Sequence, residues 1–349
     1  MRHVLSLFAC LCLLAAVAVD ARPLARDEQV LVLPTTARWQ GDRIEARIDI
    51  WVYELESRPG LSSLFADYLD LDLDALPSAD RQRFLERTQL FRVDSESFKD
   101  VHLRLGGRTH ALPATGFDGR TRSSVGISSA GIAASRRWLK GSVVMPHGDP
   151  RQFKGRVLLV PSQGLSVVSD IDDTIKVSQV RERREMLLNT FAREFVAVPG
   201  MAARYRTLQA GEGTRFHYVS GSPVQLYPPL AVFLRTEGFP AGSVHLREST
   251  SIRNVIPGSD ATRTHKLAAI GQLLADFPQR RFLLVGDSGE ADPEIYAELA
   301  RAHPAQVAGI RIRDVTGEAA DAPRYRVTFD GLPADLWQVY SDPQTLREP

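Results

Sequence analysis

The chain has 349 residues, 44% hydrophobic and 24% charged, a composition that excludes a disordered, collagenous or disulfide-scaffolded protein. Forty-three Lys and Arg against forty-two Asp and Glu leave a formal net charge of +1. No bulk field therefore exists to hold a nucleic-acid backbone, and an anionic ligand must be held locally. The N-terminus reads as a secretory signal peptide over residues 1–21: Arg2 and His3, an apolar run from Val4 to Val19, then Val19-Asp20-Ala21. That run falls short of the roughly 20 residues that span a bilayer. Both cysteines, Cys10 and Cys12, lie within it, so the mature chain is expected to be exported, periplasmic or secreted, and to use neither disulfide nor thiolate.

From residue 28 to 163 the chain is β-rich. Ile44, Ala46, Ile48, Ile50 and Val52 alternate with Glu45, Arg47, Asp49 and Trp51, the period of a half-buried strand. A helical insertion is expected over roughly Leu61 to Leu90. Within it Asp67, Asp70, Asp72 and Asp74 lack the Gly and closing Glu of a calcium loop and read as a solvated turn. Val101, Leu103 and Leu105 resume the alternation before Gly106-Gly107, a turn signal. Short apolar runs from Gly141 to Met145 and from Gly155 to Val160 complete the expectation of a small antiparallel sandwich.

From residue 164 to 349 strands and helices alternate, which predicts an α/β unit with a parallel sheet built from βαβ units. The candidate strands are Leu165 to Ser169, Arg215 to Val219, Gly242 to Leu246, Phe282 to Val285 and Val307 to Ile312. The stretch from Arg181 to Val198 sets Leu187, Phe191, Phe195 and Val198 at helical spacing beside Arg181, Arg183 and Arg184. Such a stripe more often packs on its own domain than against a lipid surface. A clearer helix carries Leu267, Ile270, Leu273, Leu274 and Phe277 on one face and closes at Pro278.

Four segments carry chemistry. In the first, Ser169-Asp170-Ile171-Asp172-Asp173-Thr174, a hydrophobic strand ends in carboxylates at the sheet edge where open α/β folds bind ligands. Three crowded acids repel unless a cation neutralises them, and oxygen ligands suit Mg2+; alone, the segment reads equally well as a cap or a solvated turn. In the second, Val219-Ser220-Gly221-Ser222-Pro223, a hydroxyl and backbone N–H groups can hold phosphate oxygens, or make an ordinary turn. The third is Lys266, one of only five lysines with Lys99, Lys140, Lys154 and Lys176. Near the first turn of its helix the dipole disfavours a cation, so the residue either counters an aspartate and a phosphate or is simply solvated. The fourth is Gly286-Asp287 with Asp292-Pro293, in which Asp287 is the expected second carboxylate on the metal. Asp292 is either a helix cap or a further metal ligand, and Glu290 reads as solvated. The histidines show no zinc spacing, and Ser220 lacks the flanking glycines of a nucleophile elbow.

In this order the segments resemble the haloacid dehalogenase superfamily of aspartate-nucleophile phosphatases. From about Gly164 to Val315 the chain more narrowly resembles the catalytic domain of the fungal actin-patch phosphatidate phosphatase family and its bacterial relatives. The closer match rests on Ser169 to Lys176, Tyr218 to Pro223, His265-Lys266, Gly286 to Glu290 and Ile312-Arg313-Asp314-Val315. Gly221 and Val224 stand where the fungal pattern often has Asn and Trp. The resemblance implies a Rossmann-like domain at 164–349 after a smaller sandwich-like domain at 28–163. It further implies that Asp170 attacks phosphorus and that Asp172 serves as acid and then base. Asp170, Asp172 through its backbone carbonyl, Asp287 and Asp292 would hold Mg2+, while Thr174, Ser220, Gly221 and Lys266 would hold the phosphoryl group. The expected substrate is a lipid phosphate, phosphatidate cleaved to diacylglycerol, with peripheral membrane contact, no nucleic acid and no obligate protein partner. Rival readings are a phosphatase for soluble or nucleic-acid monoesters and an exported binding protein on a non-catalytic scaffold.

Overall fold

The computed structural model describes residues 21–55, 60–248 and 258–349; apart from Ala21, the expected signal segment with Cys10 and Cys12 lies outside them. The first half builds one nine-stranded sheet from β1 (Glu28–Val32), β2 (Thr35–Gln40), β3 (Arg43–Leu55), β4 (Val93–Ser95), β5 (His102–Leu105), β6 (Arg108–Ala111), β7 (Arg120–Ser128), β8 (Trp138–Val143) and β9 (Lys154–Val160). β3 is its spine: Ile44, Ala46, Ile48, Ile50 and Val52 are buried, and its backbone pairs with β1, β2, β4 and β7. β2 and β9 run parallel, which departs from the purely antiparallel arrangement expected from the alternation. A parallel pair needs a long crossover, and everything from β3 to β8 intervenes here. The helical insertion divides into α1 (Leu61–Leu69) and α2 (Ser78–Gln89), because Asp70 takes a left-handed conformation with φ 57° and Pro77 precedes the second helix.

The second half forms a six-stranded sheet in which every pair is parallel. Its strands are β10 (Leu165–Ser169), β11 (Arg215–Pro223), β12 (Ser243–Arg247), β13 (Arg281–Asp287), β14 (Val307–Arg313) and β15 (Trp337–Tyr340), in the order β12-β11-β10-β13-β14-β15. The first five follow the apolar runs of the sequence; β15 is a short, half-buried edge strand with no such run. Around the sheet lie α3 (Arg183–Leu187), α4 (Met201–Gln209), α5 (Tyr227–Thr236), α6 (Ser259–Asp276), α7 (Asp292–Ala302) and α8 (Pro323–Thr328). Alternation along the strands fills two apolar layers. Val167, Phe216, Tyr218, Leu283 and Val285 pack with Leu187, Phe191, Met201 and Leu230 on one face. Val168, Val219, Phe282 and Leu284 pack with Ile270, Leu273, Ile295 and Leu299 on the other. Phe195 and Val198 join the first layer, so the stripe from Leu187 to Val198 packs inside the molecule and is not presented to a lipid surface.

That first layer also draws on the other half of the chain. Leu33, Phe65, Leu69 and Phe84 belong to it, and the Phe65 ring lies 5.6 Å from Phe191. Arg87 of α2 donates to the carbonyls of Thr190 at 3.0 Å and Arg193 at 2.6 Å. Arg47 of β3 clasps Asp276, at the end of α6, with two hydrogen bonds of 2.6 Å. In the parallel sheet the chain order reverses between β10 and β13, the crevice where open α/β sheets place ligands.

Candidate active site

β10 and β13 are adjacent, with Ser169 opposite Val285, so Asp170 and Asp287 leave the sheet side by side. The Asp170 N–H still donates to the Val285 carbonyl at 2.9 Å. Asp292 opens α7 and turns back toward them, its Oδ2 accepting from the Asp287 N–H at 3.3 Å. Gly286 is required for this approach, because a Cβ there would collide with the Asp292 carboxylate. Carboxylate oxygens of Asp170, Asp287 and Asp292 come within 4.8 Å of one another, and all three residues are buried. The Thr174 hydroxyl bridges two of them, donating to Asp170 Oδ2 at 3.1 Å and lying 3.5 Å from Asp287 Oδ2.

Among the described residues one cation serves this cluster. The buried Lys266 ammonium donates to Asp292 Oδ1 at 2.6 Å and Glu290 Oε2 at 3.1 Å, and lies 2.9 Å from Asp170 Oδ1. The last contact is an ion pair without hydrogen-bond alignment, and Oδ1 has no aligned donor. Burial pushes the Asp170 carboxyl well above the usual carboxylate range, only partly opposed by Lys266. Asp287 is raised by burial and by Asp292 and Asp170. For Lys266 burial acts against the ammonium, but Asp170, Asp292 and Glu290 prevail and hold its pKa well above the ordinary value. Three or four acids around one lysine leave negative charge uncompensated, and an all-oxygen donor set fits a hard divalent cation. The trio can therefore bind a metal ion.

Asp172 takes a different course. Its carboxylate is not part of the trio. Lys176 lies 2.7 Å from Oδ1, and Ser178 donates to the same oxygen at 2.6 Å. Ser220 and Ser222 donate to Oδ2 at 3.2 and 2.9 Å. Burial works against the charge, yet Lys176 and these hydroxyls outweigh it and hold the carboxyl well below the usual range. Asp173, the third acid of the segment, is occupied elsewhere. With φ 52°, it accepts the N–H groups of Ser178 and Gln179 at 2.8 Å and of Val180 at 2.7 Å, tying down the following loop. Gly221 packs so closely on α6 that a Cβ would stand 2.8 Å from Thr262.

The sequence places Lys266 near a helix start, whereas α6 begins at Ser259 and the residue sits two turns in, beside Asp170 and Asp292. Its cause is the acid cluster, not the helix terminus. Asp292 is no cap: Ala291 holds that position and no side chain caps the helix. Glu290, read as solvated, is a half-buried partner of Lys266. Lys176 was not singled out, although its rarity and its place four residues after Asp172 were visible signals. Asp67, Asp70, Asp72 and Asp74 are exposed as expected.

Comparison with known proteins places residues 165–314 in register with the family model described as phosphatidate phosphatase APP1, catalytic domain. The chain is 36% identical over 183 residues to phosphatidate phosphatase APP1 of Saccharomyces cerevisiae, a match covering 51% of this chain and 31% of that protein. It is 32% identical over 178 residues to the uncharacterized protein C29B5.04c of Schizosaccharomyces pombe, covering 48% of this chain and 28% of that one. The chain thus spans less than a third of the curated relatives it matches, and the resemblance to the fungal family is one of catalytic domains.

Proposed function

We propose that the chain is a Mg2+-dependent phosphomonoester hydrolase of the Rossmann-like haloacid dehalogenase type, acting through an aspartyl phosphate on lipid phosphates such as phosphatidate. The observation that carries this reading is the meeting of Asp170, Thr174, Lys266, Asp287 and Asp292 at the strand-order reversal. The resemblance of residues 165–314 to a phosphatidate phosphatase catalytic domain supplies the substrate class. Asp170, Asp287, Asp292 and the Asp172 carbonyl would hold Mg2+, which supplies positive charge to screen two anions from each other.

The chain's own groups divide the chemistry between them. Thr174 fixes Asp170 Oδ2 and leaves Oδ1 to attack phosphorus, forming an O–P bond as the ester P–O bond breaks. Asp172 gives a proton to the departing alkoxide and later takes one from the water that cleaves the aspartyl phosphate, releasing inorganic phosphate. Held as a carboxylate by Lys176, Ser178 and Ser222, Asp172 rests in its base form. To act as acid it must first take up a proton and loosen the Lys176 contact. Lys266 neutralises Asp170 and the transferring phosphoryl oxygens, while Ser220 and the Gly221 backbone border the place that the phosphoryl group would take. Export through the segment at 1–21 belongs to the same proposal; N-terminal sequencing of the mature protein is expected to begin after Ala21.

The test is phosphate release from phosphatidate in detergent micelles, from a nucleotide and from an aryl phosphate, with Mg2+ or with chelator. The expected result is chelator-sensitive release, greatest with phosphatidate and abolished in Asp170→Asn with the fold retained. Near wild-type turnover by that variant overturns the nucleophile, and equal rates on all three substrates overturn the lipid assignment.

A further inference from the structure

Lys176, which lies 2.7 Å from Asp172 Oδ1, also stands 5.0 Å from the centre of the Phe195 ring. That ring is a wall of a cavity of about 470 Å3 between α2 and α5, and Leu90, Pro228, Pro229, Val232 and Phe233 complete its apolar lining. Phe195 thus joins this space to the Asp172 side of the site through a single side chain. The chain path holds the two together. β11 ends at Pro223, and one turn of 3-10 helix, Val224–Leu226, leads directly into α5. Pro228 and Pro229 therefore remain at the strand edge that carries Ser222, whose hydroxyl donates to Asp172 Oδ2 at 2.9 Å. The Val177 N–H donates to the Val196 carbonyl at 2.8 Å, which ties the segment bearing Phe195 to the loop behind Asp172.

The charges around the cavity select what can enter it. Arg87 is committed: it donates to the carbonyls of Thr190 and Arg193 and lies 3.8 Å over the Phe195 ring. Arg83 is paired with Asp80 at 2.8 Å. The other charged groups at the border are three exposed acids, Glu86, Glu194 and Glu237. They repel an anion, and the apolar walls offer a polar group no partner for the water it would lose. An uncharged hydrocarbon chain meets neither cost, and a concave apolar space is where such a chain leaves water.

We propose that this cavity holds an acyl chain of the lipid phosphate while the phosphoryl group sits at Asp170. The inference rests on the phosphatase reading and deepens it. On that reading Asp172 protonates the departing alkoxide, so the uncharged diacylglycerol leaves on the Asp172 side, the side on which the apolar cavity lies. Its glycerol and ester atoms give the chain the reach to cross the wall formed by Lys176 and Phe195.

Calorimetric titration of the whole protein in Mg2+ tests this without turnover, so a failure of the phosphatase reading shows separately as absent phosphate release. The probes are ethylphosphonate, octylphosphonate below its micelle concentration, and octanol: head group, head group with chain, and chain alone. Each methylene taken out of water favours binding by about three- to fourfold, so octylphosphonate is expected to bind at least about twentyfold more tightly than ethylphosphonate, and more tightly than octanol. Val232 is half-exposed on α5; Val232→Trp, which fills the cavity, and Val232→Glu, which sets a charge against the chain, are each expected to cut that ratio below threefold with circular-dichroism spectra like that of the wild type. Val327→Trp, at an exposed valine of α8, a helix of the opposite apolar layer, is expected to leave the ratio unchanged. Equal affinities for the two phosphonates, no binding of either, or a ratio that survives both Val232 variants overturns the proposal. Octanol binding as tight as octylphosphonate binding also overturns it, because the cavity and the phosphoryl site are then unconnected. A dimer that Val232→Trp dissociates assigns the groove to a second copy of the chain and overturns it likewise.

Discussion

Two lysines divide the site between them, and their substitutions are expected to differ in kind. Lys266 is shared by Asp170, Asp292 and Glu290, so Lys266→Met removes the one cation that, among the described residues, serves the acid trio. Its kcat/KM is expected to fall about 10²–10³-fold, the scale of losing one preorganised charge-stabilising group, measured by phosphate release. Lys176 touches none of the trio and acts on Asp172. Without it the Asp172 pKa moves up toward the ordinary carboxylate value, since Lys176 is the chief group holding it down against burial. A base must be ionised to work, so the acid limb of the pH–rate profile of Lys176→Met is expected at higher pH than in the wild type; an unmoved limb removes Asp172 from the base role. Little of this division was readable in advance. The spacing Asp172-x-x-x-Lys176 suggests a helical pair, but the segment is a loop, and only the closed geometry of Asp173 with residues 178–180 folds Lys176 back. Asp170, Asp287 and Lys266 were legible because each follows or faces an apolar run whose end at the sheet edge is fixed by periodicity. Glu290 and Asp292 took their roles from a turn whose direction no periodicity encodes.

Two predictions belong to the elements. β13 meets the first turn of α7 at Gly286, and Gly286→Ala forces a methyl group into the Asp292 carboxylate. The cost is expected to be about 1–3 kcal/mol, typical of overpacking, together with loss of activity, read by thermal melts and phosphate release; full activity would mean that the Asp292 position is irrelevant. The strands β10, β11 and β12 carry a buried polar row along the α6 face. The His217 ring contacts Ser166 at 3.1 Å and Ser243 at 2.8 Å, and Ser243 contacts His245 at 2.9 Å. Burial, with His265 nearby, brings His245 down to about 4. Between pH 6.5 and about 4 the unfolded chain binds a proton there that the folded chain refuses, so this group's contribution is complete above 6.5 and disappears as pH falls through that window. The stability of His245→Gln is expected to decline less steeply than that of the wild type from pH 6.5 to 4 in thermal melts. The parallel strands were legible from their apolar runs. The start of α6 was not, because Gly258 precedes it in an extended conformation without a side-chain cap, and the parallel pairing of β2 with β9 depends on a long-range return that alternation does not specify.

At the scale of the molecule, the halves do not keep separate interiors. Phe65 and Phe84 of the helical insertion fill the layer built on Leu187, Phe191 and Phe216, and Arg47 holds the end of the helix that bears Lys266. Phe65→Ala is expected to destabilise the protein by about 3–5 kcal/mol, and activity is expected to be lost at the same lowered temperature at which the fluorescence of the first half changes. Two separate transitions would show that the halves melt independently. The change of pattern near residue 163 was visible in the sequence, but two helices reaching across it were not, since an amphipathic helix records that one face is covered and not by what. A hairpin of this kind makes the first half an unsuitable unit for exchange. Grafting the phosphatase-like half onto another protein, or trimming it free, would expose Phe191 and its neighbours to water, so an engineered fragment of this chain must keep the two-helix insertion or replace the cover it provides.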